Sequence, residues 1–193
     1  RVKLTGCGWG DKTSDPKSYE PRTLFKKQRN HRGQAARFGI FGTVKSLNLP
    51  AYAFQTRQEG DHHEILDEIR RKWLVLTPEE WVRQHVLMYL VHDRGYPASL
   101  MEVEKGLQVG KTAKRADIVI SSTQGKPIMI VECKAPEIKL NQEVMDQAGR
   151  YNITLKVPFL LISNGLQHFC CALQKGTWSF LDEIPTWNVL NPS

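Results

Sequence analysis

KRADIVISSTQGKPIMIVECKAP, residues 114–136, holds two apolar runs joined by a polar TQGK. Each run is short, rich in Ile and Val, and bounded by turn residues, which predicts two strands near 115–122 and 127–134. Both are apolar enough to be buried, yet the first carries Asp117 and the second Glu132 and Lys134. A hairpin closed at Gln124-Gly125, with Thr123 opposite Lys126, sets Asp117 directly across from Glu132. Cβ atoms of such a pair lie about 4.5–5.5 Å apart, and like charges there repel. Burial adds a desolvation cost, so something positive must sit beside them. Lys134 shares the face of Glu132 because side chains alternate along a strand, and it lies diagonal to Asp117. One ammonium offsets part of two carboxylates; a hard dication with oxygen ligands offsets more. Such a cluster suits phosphodiester hydrolysis. The acids would hold Mg2+, and Lys134 would position or deprotonate the attacking water or steady the charge that develops. The plain alternative is a solvated cross-strand ion cluster without chemistry.

Working outward, LTPEEWVRQHVLMYLVHDRG begins with Thr77, Pro78 and Glu80 in capping-box spacing and ends at Gly95, predicting a helix over about 78–94. Trp81, Val82, His85, Val86 and Tyr89 fall on its core face, which makes His85 a core histidine rather than a ligand. LMEVE (100–104) alternates like a strand, followed by an expected Gly- and Lys-rich loop. Its GLQVGKT (106–112) mimics a phosphate loop, but only three residues separate Gly106 from Gly110 where four are required, so no nucleotide cofactor is expected. Lys111, Lys114 and Arg115 in this stretch are candidate phosphate contacts, and a solvated loop explains them equally. NQEVMDQAGRYNITL (141–155) has helical period with Asn141 as cap; PFLLISN (158–164) and QHFCCALQ (167–174) read as partner strands, and the end from Pro185 as frayed. The order helix, three strands, helix, two strands gives an α/β domain with a mixed sheet.

Net charge is +7, from 27 Lys and Arg against 20 Asp and Glu, but 11 of those cations and only 3 acids lie in residues 1–45. The remaining 16 against 17 leave the rest near neutral. Residues 1–45, rich in Gly, Pro and charge without a sustained period, read as a poorly ordered basic extension. No apolar stretch nears the roughly 18 residues that cross a bilayer, and residues 1–10 show no leader-like apolar core, so a cytoplasmic protein is expected. Cys7, Cys133, Cys170 and Cys171 make no disulfide framework and no zinc spacing.

Taken in order, LNLPAY, LTPEEWVRQ, GYP, EVEKGL, KRADIVI, IVECKAP, QAGRYN and PFLLISNG resemble the N-terminal nuclease domain of type I restriction enzyme R subunits, within the PD-(D/E)XK nuclease superfamily. The resemblance spans roughly 46–185, leaving 186–193 as a tail. It implies an αβββαβ restriction-endonuclease-like core, a central mixed sheet flanked by helices. It further implies Asp117 and Glu132 as metal ligands with the Cys133 carbonyl as a third, Lys134 as the catalytic lysine, and Gln147 and Tyr151 as the Q-x-x-x-Y element. Mg2+ is the implied metal, with Mn2+ able to substitute. An additional acid is expected from the first helix or first strand. Glu80 is one candidate, although its capping position already accounts for it; Glu102 and Glu104, of one parity on the strand before the hairpin, are the others, and Glu104 is favoured. Ala116 stands where the motif usually has Pro. R subunits continue into an ATP-driven motor; the expectation here is the nuclease domain without it, either a cut-out domain or a stand-alone relative, so ATP dependence is not carried over.

The expected partners are DNA and other subunits of a restriction-modification complex, with no membrane. Cutting both strands needs two active sites together, which a homodimer would supply. A non-catalytic DNA-binding or docking module is the competing reading, and a nuclease acting on RNA a third. No recognition helix is legible, so sequence choice would come from partners.

Overall fold

The structure is a computed structural model that describes residues 46–109, 112–141, 143–144, 156–174 and 176–191. Two sheets organise them. The smaller is an antiparallel meander of β1 (Thr56–Glu59), β2 (His62–Asp67) and β3 (Lys72–Val75). Little apolar alternation marks this stretch in the sequence. Cross-strand pairs hold it instead: Arg57 sits opposite Glu64, reaches its carboxylate at 2.6 Å, and stacks 4.5 Å over the Trp73 ring.

Helix α1 runs Pro78–Met88 with Thr77 as N-cap, its hydroxyl accepting from the Glu80 N–H at 3.1 Å. A π turn, Tyr89–Asp93, extends it, and Gly95 at φ +73° ends it as the sequence predicts. His85 is a core histidine: only 6% exposed, it bonds the Trp81 carbonyl through Nδ1 and packs against the Phe54 and Trp81 rings. Burial lowers its pKa to about 4, leaving it neutral.

The larger sheet has six strands in sequential order: β4 (Met101–Val109), β5 (Thr112–Ser121), β6 (Pro127–Cys133), β7 (Phe159–Ser163), β8 (His168–Gln174) and β9 (Thr177–Phe180). Only β6 and β7 run parallel, so the sheet is mixed as expected. The expected loop after residue 104 is instead more strand. β4 and β5 stay paired out to Val109 and Thr112, beyond where β6 accompanies them, and form a two-stranded ribbon. GLQV is therefore sheet, not a phosphate cradle.

The β5–β6 hairpin closes differently from the expected Thr123–Lys126 pair. Ser122 N–H donates to the Lys126 carbonyl at 2.7 Å and Gly125 N–H to the Ser122 carbonyl at 2.9 Å. The ladder pairs Ser121 with Pro127 but Ile120 with Met129, so Ile128 is an extra, bulged residue. Turn and bulge cancel. Ile118 opposes Val131, the register that places Asp117 and Glu132 one step further on.

Val82, Val86, Leu87 and Leu90 pack on Ile118, Ile120, Met129, Val131 and Leu161 on one face of this sheet. Ala116, Val119, Ile130, Leu160 and Ile162 face the other way, with Leu140 and Val144 against them. Each buried aliphatic side chain contributes about 1.5–3 kcal/mol. Asn141 caps as expected, accepting the Val144 N–H at 3.2 Å; the rest of the predicted helix over 141–155 lies outside the described residues, as does the extension over 1–45.

Two ends are tied down. Asn48 N–H donates to the Gly165 carbonyl at 2.7 Å, and the Asn48 carbonyl meets His168 Nε2 at 3.1 Å, so LNLPAY lies on the SNG turn. The end is docked rather than frayed: Tyr96 hydroxyl donates to the Pro185 carbonyl, Ile184 is buried, and a helical turn, Trp187–Leu190, packs its tryptophan 5.7 Å from the Tyr96 ring. Gly165 sits at φ +78°, and a Cβ there would lie 2.7 Å from Leu47 Cδ2. Gly165→Ala therefore combines left-handed strain with a clash, and should lower stability by about 2–4 kcal/mol, read as a fall in urea midpoint at unchanged slope.

Candidate active site

The acids do not face each other as a bare pair. Asp117 turns its carboxylate to the end of β6, where Oδ2 accepts the Cys133 N–H at 2.6 Å. On its other side, Val103 pairs with Ile118 and Lys105 with Ala116, which brackets Glu104 against Asp117. Glu104 has φ +53°, a left-handed conformation that costs a non-glycine residue about 1–3 kcal/mol. Its carboxylate is held by Arg70 Nη1 at 2.6 Å.

An arginine-carboxylate network fills the space between α1, the meander and the sheet. Asp67, fully buried, accepts from Arg70 N–H at 2.8 Å, Arg70 Nε at 2.5 Å and Gln84 Nε2 at 3.0 Å. Arg70 Nη2 reaches Glu80 at 3.3 Å, and Gln84 donates to the same oxygen at 2.8 Å. Arg83 bonds Glu80 through Nη1, while its Nη2 reaches Asp117 Oδ1 at 3.0 Å and Glu79 at 3.2 Å. The reciprocal half of the expected capping box is not formed. Thr77 N–H donates to the Val75 carbonyl, so Glu80 serves the arginines and not the cap.

Lys134 Nζ donates to Glu132 Oε1 at 2.7 Å, as the strand alternation requires. Glu132 Oε2 is buried with no hydrogen-bond partner among the described residues, and so is Arg83 Nε. Burial first, then the Asp117 charge, raises the Glu132 pKa to about 7, with the Lys134 bond only partly offsetting them. Burial would lower the Lys134 pKa, but the hydrogen bond and charge of Glu132, then Glu79 and Asp117, raise it overall, so its ammonium is charged at neutral pH. The Glu79 pKa is raised by burial and by Asp117.

Glu79 is the residue the sequence reading missed. It sits one position before Glu80, half-exposed, and feels Asp117 and Lys134. An acid four residues before Arg83 on the helix was the available signal. Asp67 and Arg70 were missed with the meander that carries them. Among the expected site residues, Asp117, Cys133, Glu132 and Lys134 come together; Glu104 is nearby against Arg70; Arg115 is exposed on the ribbon, 3.7 Å from Glu104. Lys114 occupies a ribbon position opposite Leu107. Lys111, Gln147 and Tyr151 lie outside the described residues. Among the described residues, no three His, Cys, Asp or Glu side chains are grouped so as to hold a metal ion. Each acid already has a cation beside it: Arg83 Nη2 lies 3.0 Å from Asp117 and Lys134 Nζ 2.7 Å from Glu132.

Asp117, Glu132 and Lys134 thus meet on a mixed six-stranded sheet with α1 packed on one face. Residues 78–185, more than half of the chain, match the family described as type I restriction enzyme R protein N terminus (HSDR_N), and the chain belongs to that family. Among solved structures it is similar to a fragment described as an HsdR subunit of a type I restriction enzyme from Vibrio vulnificus YJ016, at 23% identity and TM-score 0.46. That match covers 60% of this chain and 24% of the other, so the chain spans about a quarter of the protein it matches. No curated protein matches it. No helix among the described residues is long and apolar enough to cross a membrane.

Proposed function

We propose that the domain is a divalent-metal-dependent endonuclease that hydrolyses DNA phosphodiester bonds within a type I restriction system, working with other subunits of the restriction-modification complex. The observation that carries this reading is the meeting of Asp117, Glu132 and Lys134, with the buried Glu132 Oε2 lacking a partner among the described residues. The donor set fits a hard cation. Asp117, Glu132 and the Cys133 carbonyl would hold Mg2+ or Mn2+, and Glu79, held by Arg83 at 3.2 Å, offers a further oxygen more readily than Glu104, which Arg70 holds at 2.6 Å. When bound, the ion polarises the phosphate and lowers the pKa of a coordinated water.

The chain's own residues supply the rest. Lys134, charged and anchored on Glu132, places its ammonium where negative charge develops on the phosphorus oxygens. Glu79, its carboxyl shifted upward beside Asp117, is placed to take the proton of the attacking water. Gln147 and Tyr151 are proposed to hold the substrate strand, and Lys111, Lys114 and Arg115 to meet phosphates further along the duplex. A homodimer would bring two such sites to the two strands.

Mg2+ or Mn2+ titrated into wild type should give binding that Glu132→Ala removes. The same wild-type sample should nick supercoiled plasmid in a metal-dependent way, and Asp117→Ala should fall to background. Cleavage surviving in Asp117→Ala would remove the assignment, and faster cleavage of RNA would redirect it. One observation favours the competing docking module: the acids are already compensated by Arg83 and Lys134. Under that reading the protein binds DNA without cutting it and ignores divalent ions.

A further inference from the structure

We infer that Arg83 is the resident counter-cation of this site, a fixed charge that holds the acids together without metal and that an incoming divalent ion must work against. This rests on the metal-dependent reading above. The Arg83 guanidinium lies 3.0 Å from Asp117, 3.2 Å from Glu79 and 4.0 Å from Glu104, and it also bonds Glu80. Four carboxylates thus converge on one cation. Its side chain is only 7% exposed and rises from α1, so it cannot shed these partners by swinging into water.

Among the described residues the buried Arg83 Nε has no acceptor. A guanidinium kept for helix-sheet bonding alone would be expected to satisfy that proton. Surrounding charge accounts for its placement better. Asp67, Glu79, Glu80, Glu104, Asp117 and Glu132 make six acids, and Arg70, Arg83, Lys134 and the exposed Arg115 make four cations, an excess of two negative charges once Glu132 is ionised, above about pH 7. A dication matches that excess. Its attraction to Asp117 is nevertheless opposed by the guanidinium already there. Removing Arg83 leaves six acids against three cations, which destabilises the metal-free fold and deepens the well for a dication.

Two effects of opposite sign follow. Arg83→Gln should melt at a lower temperature than wild type in EDTA and recover most of the difference in saturating Mg2+. Its Mn2+ dissociation constant, measured by titration calorimetry, should be smaller by about tenfold or more, the order expected for a unit charge removed from beside a dication. Arg83→Lys, which keeps the charge, should bind Mn2+ like wild type. If wild type binds Mn2+ and Asp117→Ala does not, the metal reading stands. An Arg83→Gln affinity that is then equal to or weaker than wild type overturns this inference alone. Should Arg83→Gln fail to fold even with metal, the wild type decides: its Arg83 Nε–H resonance, assigned by loss in Arg83→Lys, must shift on adding Mg2+, and an unmoved resonance overturns the inference.

Discussion

Replacing Lys134 with methionine should cut the plasmid-nicking rate by about 10²–10³-fold, the range seen when a single donor to a developing anion is removed. The loss should appear in the rate at saturating Mg2+, with divalent-ion binding retained, because Lys134 touches Glu132 Oε1 and leaves Oε2 open. The pH behaviour separates the roles open to this lysine. Burial pulls its pKa down, but Glu132 and its neighbours raise it above the ordinary lysine value, so Lys134 stays an ammonium across the working range. The part expected of it is therefore electrostatic, not that of a general base. Wild-type activity should therefore show no rise between pH 8 and 10 traceable to Lys134. A titration in that interval that disappears in the methionine variant would restore the general-base role.

The second large effect concerns stability. Glu132→Gln should abolish divalent-ion binding and yet stabilise the metal-free protein at pH 8 by about 3 kcal/mol, the value of a carboxyl whose pKa moves from 4.5 in the open chain to about 7 in the fold. For such a raised acid, the favourable contribution is fully present below pH 4.5 and is lost as pH climbs through about 7. Wild type in EDTA should thus lose melting temperature across that interval relative to Glu132→Gln, by several degrees at this chain size. Mg2+ should return the loss to wild type only. Parallel wild-type and Glu132→Gln melting curves from pH 5 to 8 would show that Glu132 carries no such shift. The same low-pH protonation should weaken metal binding and slow cleavage below pH 7.

Much of this was legible in the sequence where local pattern and packing agree. The hairpin carrying Asp117 and Glu132 kept its register although its turn was misread, because each side of the ladder has a buried face and a one-residue slip would turn Ile118 and Val131 away from α1. The Thr77 cap, the Gly95 stop and the buried His85 followed from short-range chemistry. The meander was illegible because charge pairs and Arg57 on Trp73 hold it, and neither leaves a periodic trace. Asp67 and Arg70 went unseen with it. Glu79 was missed for a different reason. Capping spacing describes what a side chain at Glu80 can do, whereas the tertiary position of Arg70 decides what it does, turning Glu80 inward and leaving Glu79 at the mouth of the site.

The acid network also constrains the order of events during synthesis. Arg83 and Asp117 are 34 residues apart, as are Arg70 and Glu104, and β7, which supports β6, arrives only after the long crossover beyond Lys134. Every one of these ties closes a large loop, and contacts of that span form late. A half-made chain therefore presents scattered acids with no common focus. On the nuclease reading proposed above, cutting competence would arrive only with completion of the domain.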